Sequence, residues 1–108
     1  MAQTNIVKQS KPSATTLTDL YTVPAVTSTM CSTITVCNQS ATPTSFRISV
    51  APAGAADDPS QYLYYDVAIA GNDTFAATIG IPLATTDKVR VYATLATLSF
   101  SLMGVETT

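Results

Sequence analysis

The stretch "SFRISVAPAGAADDPSQYLYYDV", residues 45–67, decides the fold. Two runs that alternate apolar and polar residues flank a segment rich in Ala, Pro and Gly that carries two adjacent aspartates. In the first run Phe46, Ile48 and Val50 point one way and Ser45, Arg47 and Ser49 the other. In the second, Leu63, Tyr65, Val67 and Ile69 share a face opposite Tyr62, Tyr64 and Asp66. A side-chain period of two is the mark of a half-buried β-strand. The linking segment, Ala51 to Gln61, is long for a hairpin. Asp57 and Asp58 are consecutive, so on an extended chain their carboxylates diverge. The segment therefore reads as a tether stiffened by Pro52 and Pro59, with small residues that let it lie flat on a neighbour as a contact loop.

The same period recurs outward from this stretch. Met30, Ile34 and Val36 share a face in "MCSTITVCN", with Cys31, Thr33, Thr35 and Cys37 opposite. Phe75, Ala77, Ile79, Ile81 and Leu83 align in "TFAATIGIPL"; Val89, Val91, Ala93 and Leu95 align in "KVRVYATL", with Arg90 and Tyr92 outward. Leu98, Phe100 and Leu102 align in "TLSFSLMGV", and "TLTDLYTV" forms a weaker strand with Leu17, Tyr21 and Val23 on one side. Turn residues in "PAV", "NQSATP", "AGND", "LATTD" and "LAT" separate the runs at short intervals. No apolar pattern of helical period persists. The expectation is an all-β domain over 15–108: a single antiparallel sandwich or barrel, jelly-roll-like, of about seven strands. Residues 1–14 lack a pattern and are expected to form an extended N-terminal arm. Pro82 cannot donate to a strand ladder, which places it at an edge or bulge.

At 108 residues the chain fits one domain, and its 46% apolar content is ordinary. Its 11% of charged residues is not ordinary, since about 25% is usual in soluble proteins. Nineteen threonines, with Ser and Ala, fill the gap. Such a surface sheds its water without desolvating an ion, which suggests that other protein chains cover much of it. The five basic residues, Lys8, Lys11, Arg47, Lys88 and Arg90, form no run; clustered cations are what displace counterions from nucleic acid, so a nucleic-acid role is excluded. Residues 1–16 hold no continuous apolar segment, so neither a signal peptide nor a membrane span is expected there, and the chain is expected to be made and used without Sec export.

Chemistry is hard to assemble from these residues. With no histidine, Ser–His or Cys–His activation has no base. Cys31 and Cys37 lie in one strand, too far apart to bridge, and lack zinc partners; they read as buried free thiols of a reducing compartment. A glycosidase needs two carboxyls across a ring-lined cleft, whereas the chain has few acids and no tryptophan. A calcium site from Asp57 or Asp58 with backbone carbonyls lacks the EF-hand spacing, and turn formation explains the same residues. The isolated glycines make no phosphate loop. No cofactor or metal is expected. Tyr62 and Tyr64, beside Asp66, are read either as anchors for a neighbouring subunit or as a stacking platform for a sugar, with Tyr65 in the core.

Four segments, "KPSATTLTDLYTVPA", "ITVCNQS", "FRISVAPAGAADDPSQYLYYDV" and "NDTFAATIGIPLATTDKVRVYATLATLSFSLMGVE", together resemble a family of small virion structural proteins of tailed bacteriophages. The resemblance runs from about Lys8 to Glu106 and rests on the order of segments; Pro82 departs from it. It implies an all-β particle protein without enzymatic activity, a decoration or cement subunit of the head or a component of the tail or its fibre attachment. The implied partners are the major capsid protein and neighbouring virion subunits, with self-association as a trimer or dimer. The implied location is the exterior of the head, after assembly in the bacterial cytoplasm. The candidate interface residues are Lys8, Lys11 and Pro12 of the arm, Asp57 and Asp58 of the linking segment, and Tyr62, Tyr64, Arg90 and Tyr92 on strands.

Overall fold

The computed structural model describes residues 2–108. Nine strands follow in order: β1 (Gln3–Ser10), β2 (Thr18–Thr22), β3 (Ser28–Asn38), β4 (Thr44–Ala51), β5 (Tyr62–Ile69), β6 (Thr74–Ala77), β7 (Ile81–Leu83), β8 (Lys88–Ala93) and β9 (Leu98–Thr107). They form two antiparallel sheets packed as a sandwich. One runs β1-β9-β3-β6, with β7 also on β3; the other runs β2-β8-β4-β5. If β6 and β7 are taken as one strand broken at 78–80, this is the order of an eight-stranded jelly roll. The two pieces pair with β3 at Ile34–Cys37 and Thr29–Cys31. Pro82 sits in β7 at the sheet edge, where its missing N–H leaves no gap in a central ladder.

Period two puts the expected residues inside. Phe46, Ile48, Val89, Val91, Phe100 and Leu102 are each fully buried. Phe46 is the hub, with ring centroids 5.1 Å from Phe75 and 6.2 Å from Phe100. Among the described residues Asn38 is the one large polar side chain fully sealed inside. Its Nδ2 donates to the carbonyls of Thr42 and Ala70, and its Oδ1 accepts from the Ser40 N–H. Saturated in this way, it stitches the turn after β3 to the turn after β5, and burial does not strand it.

Register shifts in β2, β3 and β5 break the period, and each corrects an expectation. In β3, Ser32 is the extra residue between Cys31 and Thr33. The flip buries Cys31 and leaves Met30 half exposed, the reverse of the alternation read from the sequence. In β2 a bulge between Asp19 and Tyr21 buries both Leu20 and Tyr21. In β5 Tyr65 and Asp66 together oppose Arg47. Tyr64 therefore faces inward, Leu63 and Tyr65 are exposed, and Val67 and Ile69 lie on the core side; a second shift at Leu63 sets Tyr62 opposite Ser49, on the outer side with Tyr65. Tyr64 packs on Phe75 with ring centroids 5.2 Å apart, so it is a core contact and not an outward platform.

The N-terminal arm expected over 1–14 is extended but is not separate from the sandwich. Residues 3–10 are extended, but they are hydrogen-bonded along their length to β9, from Gln3 opposite Thr107 to Ser10 opposite Phe100. Ile6 turns into the core and Pro12 is buried. The segment belongs to the sandwich because β9 would otherwise carry an open edge; its first residue lies outside the described residues.

Candidate functional site

Two surfaces stand out, one on each sheet. On the β2-β8-β4-β5 sheet, the bulge in β5 gathers aromatic and charged groups around Arg47. Its Nε donates to Asp66 Oδ1 at 2.7 Å. Its guanidinium carbon lies 4.2 Å from the Tyr65 ring centre and 4.4 Å from that of Tyr92, so it stacks between two rings. Tyr65 meets Tyr62 edge-on, with centroids 5.1 Å apart. The Tyr62 hydroxyl donates to Asp57 at 2.9 Å; burial, then that carboxylate, raises the phenol's pKa above its ordinary value. Arg47, Asp57, Pro59, Tyr62 and Tyr65 line a cleft of about 420 Å³.

The linking segment is fastened, not loose. Two 3-10 turns, Pro59–Gln61 and Pro52–Gly54, fold it. Asp58 caps the Pro59–Gln61 turn, accepting from the hydroxyl and backbone N–H of Ser60, and these bonds hold its carboxyl below the usual range. Asp87 accepts from the Ala53 N–H with one oxygen and from the Ala84 N–H with the other. Arg90 donates to the carbonyls of Ala55 and Gly54 and to Asp19. Lys88, then Arg90, keep Asp19 ionised below the usual carboxylate range.

The candidate residues thus separate. Tyr62, Tyr92 and Asp57 belong to the Arg47 cluster. Asp58 and Arg90 bind the protein's own backbone. Tyr64 and Pro12 are inside, Lys8 places its ammonium 5.8 Å from the Tyr21 ring centre at the open side of the sandwich, and Lys11 is exposed just after β1. Asp57 and Asp58 do not converge, and among the described residues no group of three His, Cys, Asp or Glu side chains comes together. Sequence reasoning missed Arg47, Tyr65 and Asp66 as a unit. One signal was present: Asp is disfavoured inside strands and tolerates the left-handed φ of 52° that Asp66 adopts.

The second surface is the outer face of the β1-β9-β3-β6/β7 sheet. The registers place Val7 against Met103 and Met30 against both Val105 and Pro82. Asn5, Gln9, Ser101, Thr33 and Thr35 surround this apolar stripe. Among the described residues no outward strand position of this face is charged; Asp87 beside Met30 and Pro82, and Lys11 beside Gln9 and Ser101, border it. Lys8 and Glu106 alternate inward and meet Tyr21 between the sheets. Val7 is 61% exposed and Met30 51%, and at the β2–β3 turn Val26 is 86% exposed. Cys37 lies half-buried on the same face, while Cys31 is sealed beneath it with its thiol pKa raised by burial.

No protein-family model and no curated protein matches the sequence. Among solved structures, a chain from Bacillus endospore appendages, described as a novel family of disulfide-linked pili, superposes with a TM-score of 0.62 at 13% identity. The match covers 99% of this chain and 87% of that one. The likeness is one of fold. No helix of the described residues is long and apolar enough to cross a membrane.

Proposed function

We propose that the chain is a non-enzymatic structural subunit that docks through the uncharged outer face of its β1-β9-β3-β6/β7 sheet, and that it serves as a decoration or cement subunit on the head of a tailed bacteriophage. The single observation that carries the docking role is the sorting of charge: one sheet holds the ion pairs, and the strands of the other turn outward only Thr, Ser, Asn, Gln, Cys, Ala and an apolar stripe, with Lys11 and Asp87 at its borders. Covering such a face removes water from apolar area without stranding an ion.

The face is large enough. β3 and β9 have eleven and ten residues, a length of about 33 Å at strand rise, and four strand positions side by side give a width of about 19 Å. Two such faces together bury on the order of 1,200 Å², the lower end of stable protein interfaces. On a shell, repetition adds avidity to each modest contact. The fold likeness to a pilus subunit agrees with a role in an assembly. Disulfide linkage does not carry over through Cys31, which no second chain can reach.

The test adds the purified chain to undecorated expanded heads and images the result. The expected outcome is a fixed stoichiometry, a raised rupture temperature and density over this face. Thr35→Lys and Ser101→Lys each place an unpaired charge in the contact and should weaken binding at least about tenfold with an unchanged melting temperature. Binding to tails but not heads moves the subunit along the particle; a solitary monomer that binds neither overturns the proposal.

A further inference from the structure

We infer that the cleft between β4, β5 and the linking segment is a saccharide subsite, one that binds a neutral pyranose ring against Tyr65 and Tyr62. The inference goes beyond the docking role and uses the opposite sheet.

Three observations converge. First, the cleft has apolar walls set at an angle. The rings of Tyr62 and Tyr65 stand at 87° to each other, Pro59 adjoins them, and Tyr65 stays 58% exposed. A pyranose presents polarised C–H groups on its faces, and these suit the negative face of an aromatic ring. Second, hydrogen-bonding capacity remains at the rim. Arg47 gives Nε and Nη2 to Asp66, while Nη1 has no partner among the described residues. Asp57 accepts from Tyr62 on Oδ1 and leaves Oδ2 unengaged. A free donor and a free acceptor beside an apolar corner match the mixed surface of a sugar, whose hydroxyls both donate and accept. Third, the groups are pre-set. Arg47 is clamped by Asp66 and stacked between Tyr65 and Tyr92, and the Asp57–Tyr62 bond fixes the far wall. A ligand therefore finds its partners already ordered. The β5 bulge makes the site, since without it Tyr65 would point into the core.

A single shallow subsite of this size binds weakly, with a Kd of roughly 0.1–10 mM; many copies on one particle would multiply it. The experiment titrates the intact chain with the methyl glycosides of glucose, galactose, mannose and N-acetylglucosamine, to about 50 mM, and follows backbone and tyrosine ring resonances. The expected result is saturable shifts at Tyr62, Tyr65 and Asp57 with at least one glycoside. Tyr65→Ala should weaken that binding at least about tenfold and Asp57→Ala about threefold or more. Both side chains are exposed, and melting temperatures verify that the fold persists. Absence of saturable shifts with all four glycosides overturns the inference. So does binding that survives Tyr65→Ala, or a Tyr65→Ala defect seen only in attachment to particles. Thr35→Lys, on the other sheet, should leave glycoside binding unchanged, so failure here and failure of the docking role read separately.

Discussion

Arg47 and Asp66 are partners across β4 and β5 only because β5 spends two residues, Tyr65 and Asp66, opposite one. The bulge sends Asp66 into the left-handed region at a φ of 52° and swings its carboxylate to 2.7 Å from Arg47 Nε. The Asp66 side chain is 49% exposed, so the ion pair itself contributes only about 0–1 kcal/mol. The backbone conformation should matter more. Asp66→Gly keeps the bulge and loses the pair, with an expected destabilisation below about 1 kcal/mol. Asp66→Val adds a β-branched side chain at positive φ and should cost a further 1–3 kcal/mol or so. Urea unfolding of the two variants decides; equal losses would refute the strain account.

Gly104 should not tolerate a methyl group. A Cβ there would lie 2.4 Å from the Met30 carbonyl oxygen and 3.0 Å from Cys31 Cα, where β9 presses on the β3 bulge. Both obstacles are backbone and cannot rotate away. Gly104→Ala is expected to destabilise by about 2 kcal/mol or more. Gly80→Ala meets only Met30 Sδ at 3.9 Å and should stay within about 0.5 kcal/mol. Thermal unfolding of the pair checks the contrast.

Val26 adopts a φ of 56° while 86% exposed, a conformation that β-branched residues resist. Val26→Asn should raise stability by about 0.5–1 kcal/mol, because Asn enters this region with less strain and little packing is lost. If the exposed valine contacts a neighbour in the assembly, the same variant will bind less well while melting higher. Comparing melting temperature with particle binding separates the two effects.

Tyr21 links the sheets: its hydroxyl donates to Glu106 of β9 and shares a bond with Thr29 of β3. Burial, then Glu106, push the phenol up to about 12 from an ordinary 10.0. The folded state therefore keeps the proton after the unfolded chain has lost it. The associated stability is complete below pH 10 and is lost as pH rises from about 10 to 12, a fall on the order of 2 kcal/mol. Tyr21→Phe should be less stable at neutral pH and lack this alkaline decline. Chemical denaturation at pH 8, 10 and 11.5 measures it; an undiminished decline in the variant would place its origin elsewhere.

The parts of the site differ in how far the sequence revealed them. Tyr62, Asp57 and Tyr92 carry chemistry recognisable by residue type, and they are in the cluster. Tyr64 and Tyr65 exchange roles because "YLYYDV" has apolar residues on both parities, so alternation alone could not choose a face. The uncharged face of the other sheet was legible only as a low charge content. Its concentration on one sheet follows from the pairing of β1, β9, β3, β6 and β7, which brings together residues as distant as Gln3 and Thr107.

By itself the sequence determined an all-β chain and the identity of most of its core, since Phe46, Ile48, Val89, Val91, Phe100 and Leu102 recur at the period that a strand imposes on its own side chains. That period is a local property of the extended backbone. Only the tertiary structure decided that residues 3–10 close the edge of β9, that Cys31 turns inward, and that Tyr65 turns out beside Arg47. Each of those outcomes depends on a partner strand: a bulge is defined by two residues facing one, and an edge is filled by whichever distant segment offers matching hydrogen bonds.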